Sequence, residues 1–195
     1  MSNLSIKQNI AEQFDKDQPI PECVQKICKL IHECNHIEWA DNVDLTPGKK
    51  VGEVDQLGLA TALCERLDDI DLKCDAQVVL IECQPNRLNN RSSIICGQLI
   101  YHYTQRQRQG LCKQVVVVPS NWKNKISLSP DLTLDHYKAR NYATSYTRNK
   151  AHSRENFKHW CKVFDYDTRQ LKKPLTDIAD AFMQAMAWVD RKSTR

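Results

Sequence analysis

Apolar and polar positions change period several times along this chain, and each change marks an element. Over 51–70 the apolar positions Val54, Leu57, Leu59, Ala62, Leu63 and Leu67 recur at helical spacing, which predicts a helix. The pattern then becomes a short unbroken apolar run, QVVLIE (77–82), which predicts a strand buried on both faces. SSIICGQLIYHYTQRQRQ (92–109) returns to helix: it begins on serines suited to capping and ends at Gly110. CKQVVVVPS is a second continuous apolar strand, stopped by Pro119. A helix follows around 154–161, and a last one over 175–189 carries an apolar stripe of Ile178, Phe182, Met186 and Val189.

Upstream, KLIHECNHIEW (29–39) sets Leu30, His32, Cys34 and His36 against Ile31, Glu33, Asn35 and Ile37, the period of a strand. PECVQKIC (21–28) before it reads as a shorter strand or a helix, and ADNVDLTPGKK as a loop. The order strand, strand, helix, strand, helix, strand, helix predicts an α/β fold. Its mixed sheet has an antiparallel start followed by parallel strands, flanked by helices on both faces. A chain of 195 residues, 41% of them hydrophobic, suits a single domain over 1–195.

The first buried strand ends on a carboxylate, Glu82. An unpaired carboxylate in such a place costs several kcal/mol or takes up a proton, so Glu82 needs a partner. KKPLTDIADAFMQAMAW supplies two further acids, Asp177 and Asp180, three apart in the first turn of the last helix and so on one face. Acids there are ordinary helix-start chemistry taken singly. Brought beside Glu82 they become three like charges, a conflict that divalent cations resolve. Paired Mg²⁺ (or Mn²⁺) ions on shared carboxylates are machinery for hydrolysing a phosphodiester.

Charge distribution points the same way. Residues 1–82 hold 16 Asp and Glu against 8 Lys and Arg, whereas 101–162 hold 12 Lys and Arg against 3 Asp and Glu. Tyr101, Tyr103, Trp122, Tyr137, Tyr142, Tyr146, Phe157 and Trp160 interleave the basic half, the footprint of a nucleic-acid face. The long basic stretch 120–150 reads as a loop that tracks a DNA backbone, with Trp122 or Tyr142 stacking at a branch point. The nine cysteines, Cys23, Cys28, Cys34, Cys64, Cys74, Cys83, Cys96, Cys112 and Cys161, are scattered and form no C-x-x-C pair. That usage fits a reducing compartment. No apolar run is long enough to span a bilayer and no leader is evident, so the expectation is a soluble intracellular protein.

Other chemistry is weaker. His32, Cys34 and His36 share a strand face, but structural zinc sites draw on knuckles or helices, and a packed face is the better reading. Cys83 has no histidine partner in the pattern that would make it a nucleophile. No Gly-rich phosphate loop or Ser/His/Asp motif is present.

Four segments, taken in order, resemble one family. VVLIECQPNRLNNRSSIICGQLIYHY resembles the Glu-x-Gln segment of the poxvirus and large-DNA-virus Holliday junction resolvases, of the RuvC-like branch of the ribonuclease H fold. VVVVPSNWKNK resembles their next strand and its following lysine, SYTRNKAHSRENFKHW their Tyr-x-x-x-Lys segment at the start of a helix, and KKPLTDIADAFMQAMAW their Asp-x-x-Asp helix. HIEWADNVDL fits the strand end before their first helix. The likeness runs over roughly residues 30–190.

The resemblance implies a ribonuclease-H-like sheet and metal-dependent cleavage of four-way DNA junctions by a homodimer inside the infected host cell, in cytoplasm or nucleus. It makes Glu82, Asp177 and Asp180 metal-binding catalytic carboxylates. Lys150 becomes the basic residue near the scissile phosphate, with Lys123 as second choice. Arg106, Arg108, Trp122, Lys123, Lys125, Arg140, Arg148, Lys150 and Arg154 are the expected DNA contacts. The family pattern also carries an aspartate on its first strand, where this chain, if LSIKQNIA is that strand, has Lys7; residues 1–28 are thus a divergent segment. Three readings stay open: an inactive relative that still binds branched DNA or a partner, recruitment of Asp15, Asp17 or Asp41 instead, or a nuclease with one strong metal. An ammonium at Lys7 could also take the charge role of a metal beside Glu82 or Asp180.

Overall fold

The computed structural model describes residues 37, 40–83, 90–140, 142–171 and 174–193. After a single 3-10 turn at Val51–Glu53, helix α1 (Gln56–Lys73) begins where Asp55 accepts a hydrogen bond from the Gly58 amide at 2.6 Å. Strand β1 (Val78–Cys83), helix α2 (Asn90–Arg108) and strand β2 (Gln114–Pro119) follow. β1 and β2 pair in parallel, with Val78 opposite Gln114 and Glu82 opposite Val118. α2 ends as expected at Gly110, whose φ of 77° only glycine adopts without strain. The Leu111 and Gly110 amides close back onto the Arg106 and Gln107 carbonyls at 2.9 and 3.1 Å, a Schellman turn.

The sheet corrects the expected antiparallel start. Two parallel strands joined through α2 form the only sheet among the described residues. Physically, a helical crossover returns the chain to the same end of the sheet, so β2 must run with β1. The segments expected to supply antiparallel strands, 21–28 and 29–39, lie outside the described residues apart from Ile37, which packs on the helical core. His32, Cys34, His36, Lys7, Asp15 and Asp17 lie outside them too. The described fold is therefore mixed α/β and mostly helical, with one small parallel sheet. Nor is the sheet buried throughout: Val118 is fully covered, but Val117 beside it is 43% exposed.

The basic stretch 120–150 is structured where the sequence suggested an irregular loop. It forms 3-10 turns at Trp122–Lys125 and Pro130–Leu132, a short helix α3 (Leu134–Lys138) and the start of helix α4 (Ser145–Val163). One side chain organises much of it. Asn156 of α4 is fully buried, accepts from the Leu128 amide at 2.7 Å and donates to the Leu132 and His152 carbonyls, each at 3.0 Å. No periodicity advertises such a clamp. α4 begins nine residues before the expected 154 because Thr144 caps it through the Thr147 amide at 3.1 Å.

Helix α5 (Leu175–Ser193) packs on α4. Phe157, Trp160 and Phe182 form an aromatic cluster with ring centroids 5.0 to 5.2 Å apart about Phe182, closed by Leu171 and Ile178. Among the described residues no helix is long and apolar enough to cross a membrane. The six described cysteines are all free, three of them buried, as small hydrophobes.

His152 sits wholly inside this packing, edge-on to the Tyr137 ring at 5.7 Å. Burial holds its imidazole below the ordinary value of 6.5, and the Leu132 carbonyl opposes this without making a well-formed hydrogen bond. The native state thus binds the proton less readily than the unfolded chain. Its stabilising effect is full above about pH 6.5 and is lost as pH falls toward the native value. Urea unfolding is expected to show less stability at pH 5.5 than at pH 7.5 from this group. A His152→Gln variant with an unchanged pH difference would rule the assignment out.

Candidate functional site

Alternation along β1 sends Val78, Leu80 and Glu82 to the face that looks toward α5, and Val79 and Ile81 to the other, where α2 packs. Glu82 stands near the carboxyl end of its strand, opposite the buried Val118. Pro119 then stops β2, and the turn Trp122–Lys125 folds Lys123 back under the strand ends. On α5, Asp177, Asp180 and Gln184 follow at spacings of three and four and share one face. Asp180 lies a turn deeper than the sequence reading placed it; only Asp177 is in the first turn.

These residues meet in a cleft of about 690 Å³ that also takes in Tyr146 and Lys150 of α4. The Lys123 ammonium donates to Glu82 Oε2 and to Asp180 Oδ2, both at 2.9 Å. Lys150 donates to Asp177 Oδ1 at 2.7 Å and reaches Asp180 Oδ2 at 2.8 Å. Gln184 Nε2 donates to Glu82 Oε2 at 3.1 Å and to the Pro119 carbonyl at 3.2 Å, tying both strand ends to α5. Glu82 therefore has its partner: a lysine and an amide.

The electrostatics follow from the geometry. Burial pushes the Asp180 carboxyl upward, but hydrogen bonds from Lys150 and Lys123 outweigh it and hold the group below its usual range. Burial likewise works against the Lys150 charge, and its bonds to Asp177 and Asp180 prevail, pushing it above the ordinary lysine value. Ser153, fully buried, helps to hold Asp180 ionised yet lies outside hydrogen-bond geometry. Asp180 Oδ1 and Gln184 Oε1 are consequently buried with no partner.

Among the described residues no three His, Cys, Asp or Glu side chains stand close enough together to share a metal ion. What Glu82 and Asp180 share is the Lys123 charge. The donors are nevertheless all hard oxygens, the class that suits Mg²⁺ or Mn²⁺, and the unpaired Asp180 Oδ1 offers lone pairs that a cation can use. Asp41 lies elsewhere, lining a small cavity with Ile178, Ala181 and Phe182.

The remaining expected contacts are dispersed. Arg106 pairs with Asp71 at 3.1 Å, beside His102 at 2.7 Å, and thereby fastens α2 to α1. Trp122 lies under the Arg191 guanidinium at 4.4 Å. Arg108 and Lys125 are exposed. Arg148 is half-buried, its Nε without a partner. Arg140 is exposed over the Tyr137 ring at 5.0 Å, and Arg154 bonds Glu155 at 3.1 Å. Gln184 escaped the sequence reading, although its position one turn beyond Asp180 on the same face was a usable signal. So did Lys158 and Lys162, which continue the every-fourth-residue series Lys150, Arg154 along α4. With Arg140, Tyr142 and His159 they border a basic cavity of about 380 Å³.

Comparison with known proteins now bears on the whole. The profile of the poxvirus A22 protein family matches residues 49–192, which span β1, the lysine turn, α4 and α5. No curated protein and no solved structure matches the chain. With about three quarters of its length matched, the chain belongs to the poxvirus A22 protein family, the Holliday junction resolvase family of poxviruses.

Proposed function

We propose that the Glu82, Asp177 and Asp180 cluster is the active site of a metal-dependent endonuclease that resolves four-way DNA junctions by phosphodiester hydrolysis. The observation that carries this is the meeting of Glu82 and Asp180, from β1 and α5, across one ammonium in an open cleft. An acid at the carboxyl end of a parallel strand and two on a late helix also suit the ribonuclease-H-like reading of the fold.

Drawn closer together than they stand here, Glu82, Asp180 and Asp177 would hold Mg²⁺ or Mn²⁺, which when bound supplies an activated water and charge stabilisation for the leaving oxygen. Lys150 sits at the cleft beside the Tyr146 ring, 5.8 Å away, and keeps its charge there for a non-bridging phosphate oxygen. Gln184 fixes the Glu82 carboxylate in rotation by holding Oε2 against the Pro119 carbonyl. The basic series on α4 leads away from Lys150 and gives one arm of the junction a path along Arg154 and Lys158. Binding titrations of Arg154→Ala and Lys158→Ala against salt should each lower the slope of log K on log salt by about one, equally for every junction sequence. An unchanged slope in both would remove α4 from the path.

A four-way junction has two strands to cut, so a homodimer with two such sites is part of the proposal. The exposed Tyr101 beside the mostly apolar cleft between α1 and α2 is its nearest support. The setting is the interior of the infected cell. A second reading, binding of branched DNA without cleavage, draws on the same lysines, since they already match two of the three carboxylate charges. One experiment separates the two: nicking of a synthetic four-way junction in Mg²⁺, in Mn²⁺ and in chelator, with binding followed on native gels. Paired symmetrical nicks that need metal support the enzyme. Tight binding with no nick in any metal overturns it in favour of the binder.

A further inference from the structure

Resting on the metal-dependent reading above, we infer that Lys123 is a built-in counter-ion that occupies the cation position of the site and must be displaced when a divalent ion enters. Lys123 is 9% exposed and its ammonium bridges Glu82 Oε2 and Asp180 Oδ2 at equal distances of 2.9 Å. One positive charge between two carboxylate oxygens is the arrangement that a hard cation would take over, with a larger charge and more ligands.

The surroundings are built for more than a lysine. Asp180 is more than nine-tenths buried, and its second oxygen, Oδ1, has no hydrogen-bond partner although it is cut off from solvent. An ammonium shared with Glu82 leaves that oxygen unsatisfied, whereas a multiply coordinated ion in the cleft gives it a partner. The 3-10 turn that carries Lys123 has no side-chain cap, and Lys125 two residues on is exposed. On the proposal, the long lysine stem swings its head toward the cleft mouth by changes of rotamer. Exchange of the two charges keeps the buried carboxylates neutralised in both states, so the site never passes through bare like charges. Released from the acids, Lys123 joins Lys150 at the phosphate, and metal loading and DNA-backbone contact become linked events.

The test uses the full-length chain and two readouts other than activity. Mn²⁺ binding, counted by electron paramagnetic resonance of the free ion, is expected to tighten about 10- to 100-fold in Lys123→Met, where the internal competitor is gone. Affinity in Lys123→Arg is expected to stay at or below that of the wild type. In the wild type, acetylation of Lys123 read by mass spectrometry should rise severalfold on adding Mg²⁺, relative to the exposed Lys125 in the same sample. That second arm needs no variant to fold. Unmoved Lys123 acetylation, or Lys123→Met binding Mn²⁺ no more tightly than wild type, overturns the inference while metal-dependent nicking by the wild type stands. No Mn²⁺ bound by any form and no nicking would instead bring down the functional reading itself.

Discussion

Glu82→Gln is expected to lower junction nicking by about a thousandfold or more while leaving junction binding within a few-fold of wild type. The substitution keeps shape and can still accept a hydrogen bond from Gln184, so β1, Pro119 and α5 stay tied. Lys123 keeps Asp180 as its partner. What disappears is one of three negative charges in the cleft, the one that β1 would contribute to a cation shared with α5. Removing that charge makes the cleft no less attractive to phosphate, which is why binding should survive. Nicking assays in Mg²⁺ with binding gels in parallel measure both quantities. Residual nicking within tenfold of wild type would show that the chemistry sits elsewhere.

The second large effect is on stability. Asp180 is the centre of the network, accepting from both Lys123 and Lys150 within 2.9 Å. Asp180→Ala leaves two half-matched ammonium groups around a hole, although each lysine keeps one carboxylate. Breaking a buried pair from one side costs about 3 to 5 kcal/mol, and the remaining partners place this case near 3. For a chain of this size that is a fall in Tm of roughly 6 to 12 °C. The pH dependence has a defined sign. A carboxyl held below its ordinary value of 3.8 contributes stability that is full above that value and is lost as pH falls through the native one. Calorimetry near neutral pH should show the full deficit, and the gap between the two proteins should narrow in acid. A deficit under 1 kcal/mol would mean the network is held by the helices alone.

Some of this was legible in the residues and some was not, for physical reasons. β1, β2, the stop at Gly110 and the stripe of the last helix each depend on local pattern, and local pattern is what a sequence displays. The nearness of Glu82 to Asp177 and Asp180 was reached from chemistry: a strand-end carboxylate demands a partner, and acids at helical spacing offered a reason to gather. The identity of that partner was missed. Lys123 reaches Glu82 only because the turn after Pro119 folds back, and the segment beyond is pinned by Asn156, a polar residue inside a helix that no periodicity marks. The pairing of Arg106 with Asp71 was hidden for a related reason: it depends on how α2 lies against α1, which neither segment states alone. The antiparallel start was an argument from element order, and element order does not specify which strands share a sheet.

The hydrogen bond from Gln184 to Glu82 joins residues 102 apart. Closing so long a loop is entropically costly, and contacts of that span form late in folding, after local helices and the β1–α2–β2 unit have drawn the chain together. During synthesis the strand with Glu82, the lysine turn and α4 are all made before α5. Until α5 leaves the ribosome, Lys123 has one acid in place of two and Lys150 has none from this cluster. A nascent chain of this protein can therefore hold a basic surface before its acidic cluster is assembled, and the proposed cutting site is completed only with its last described helix.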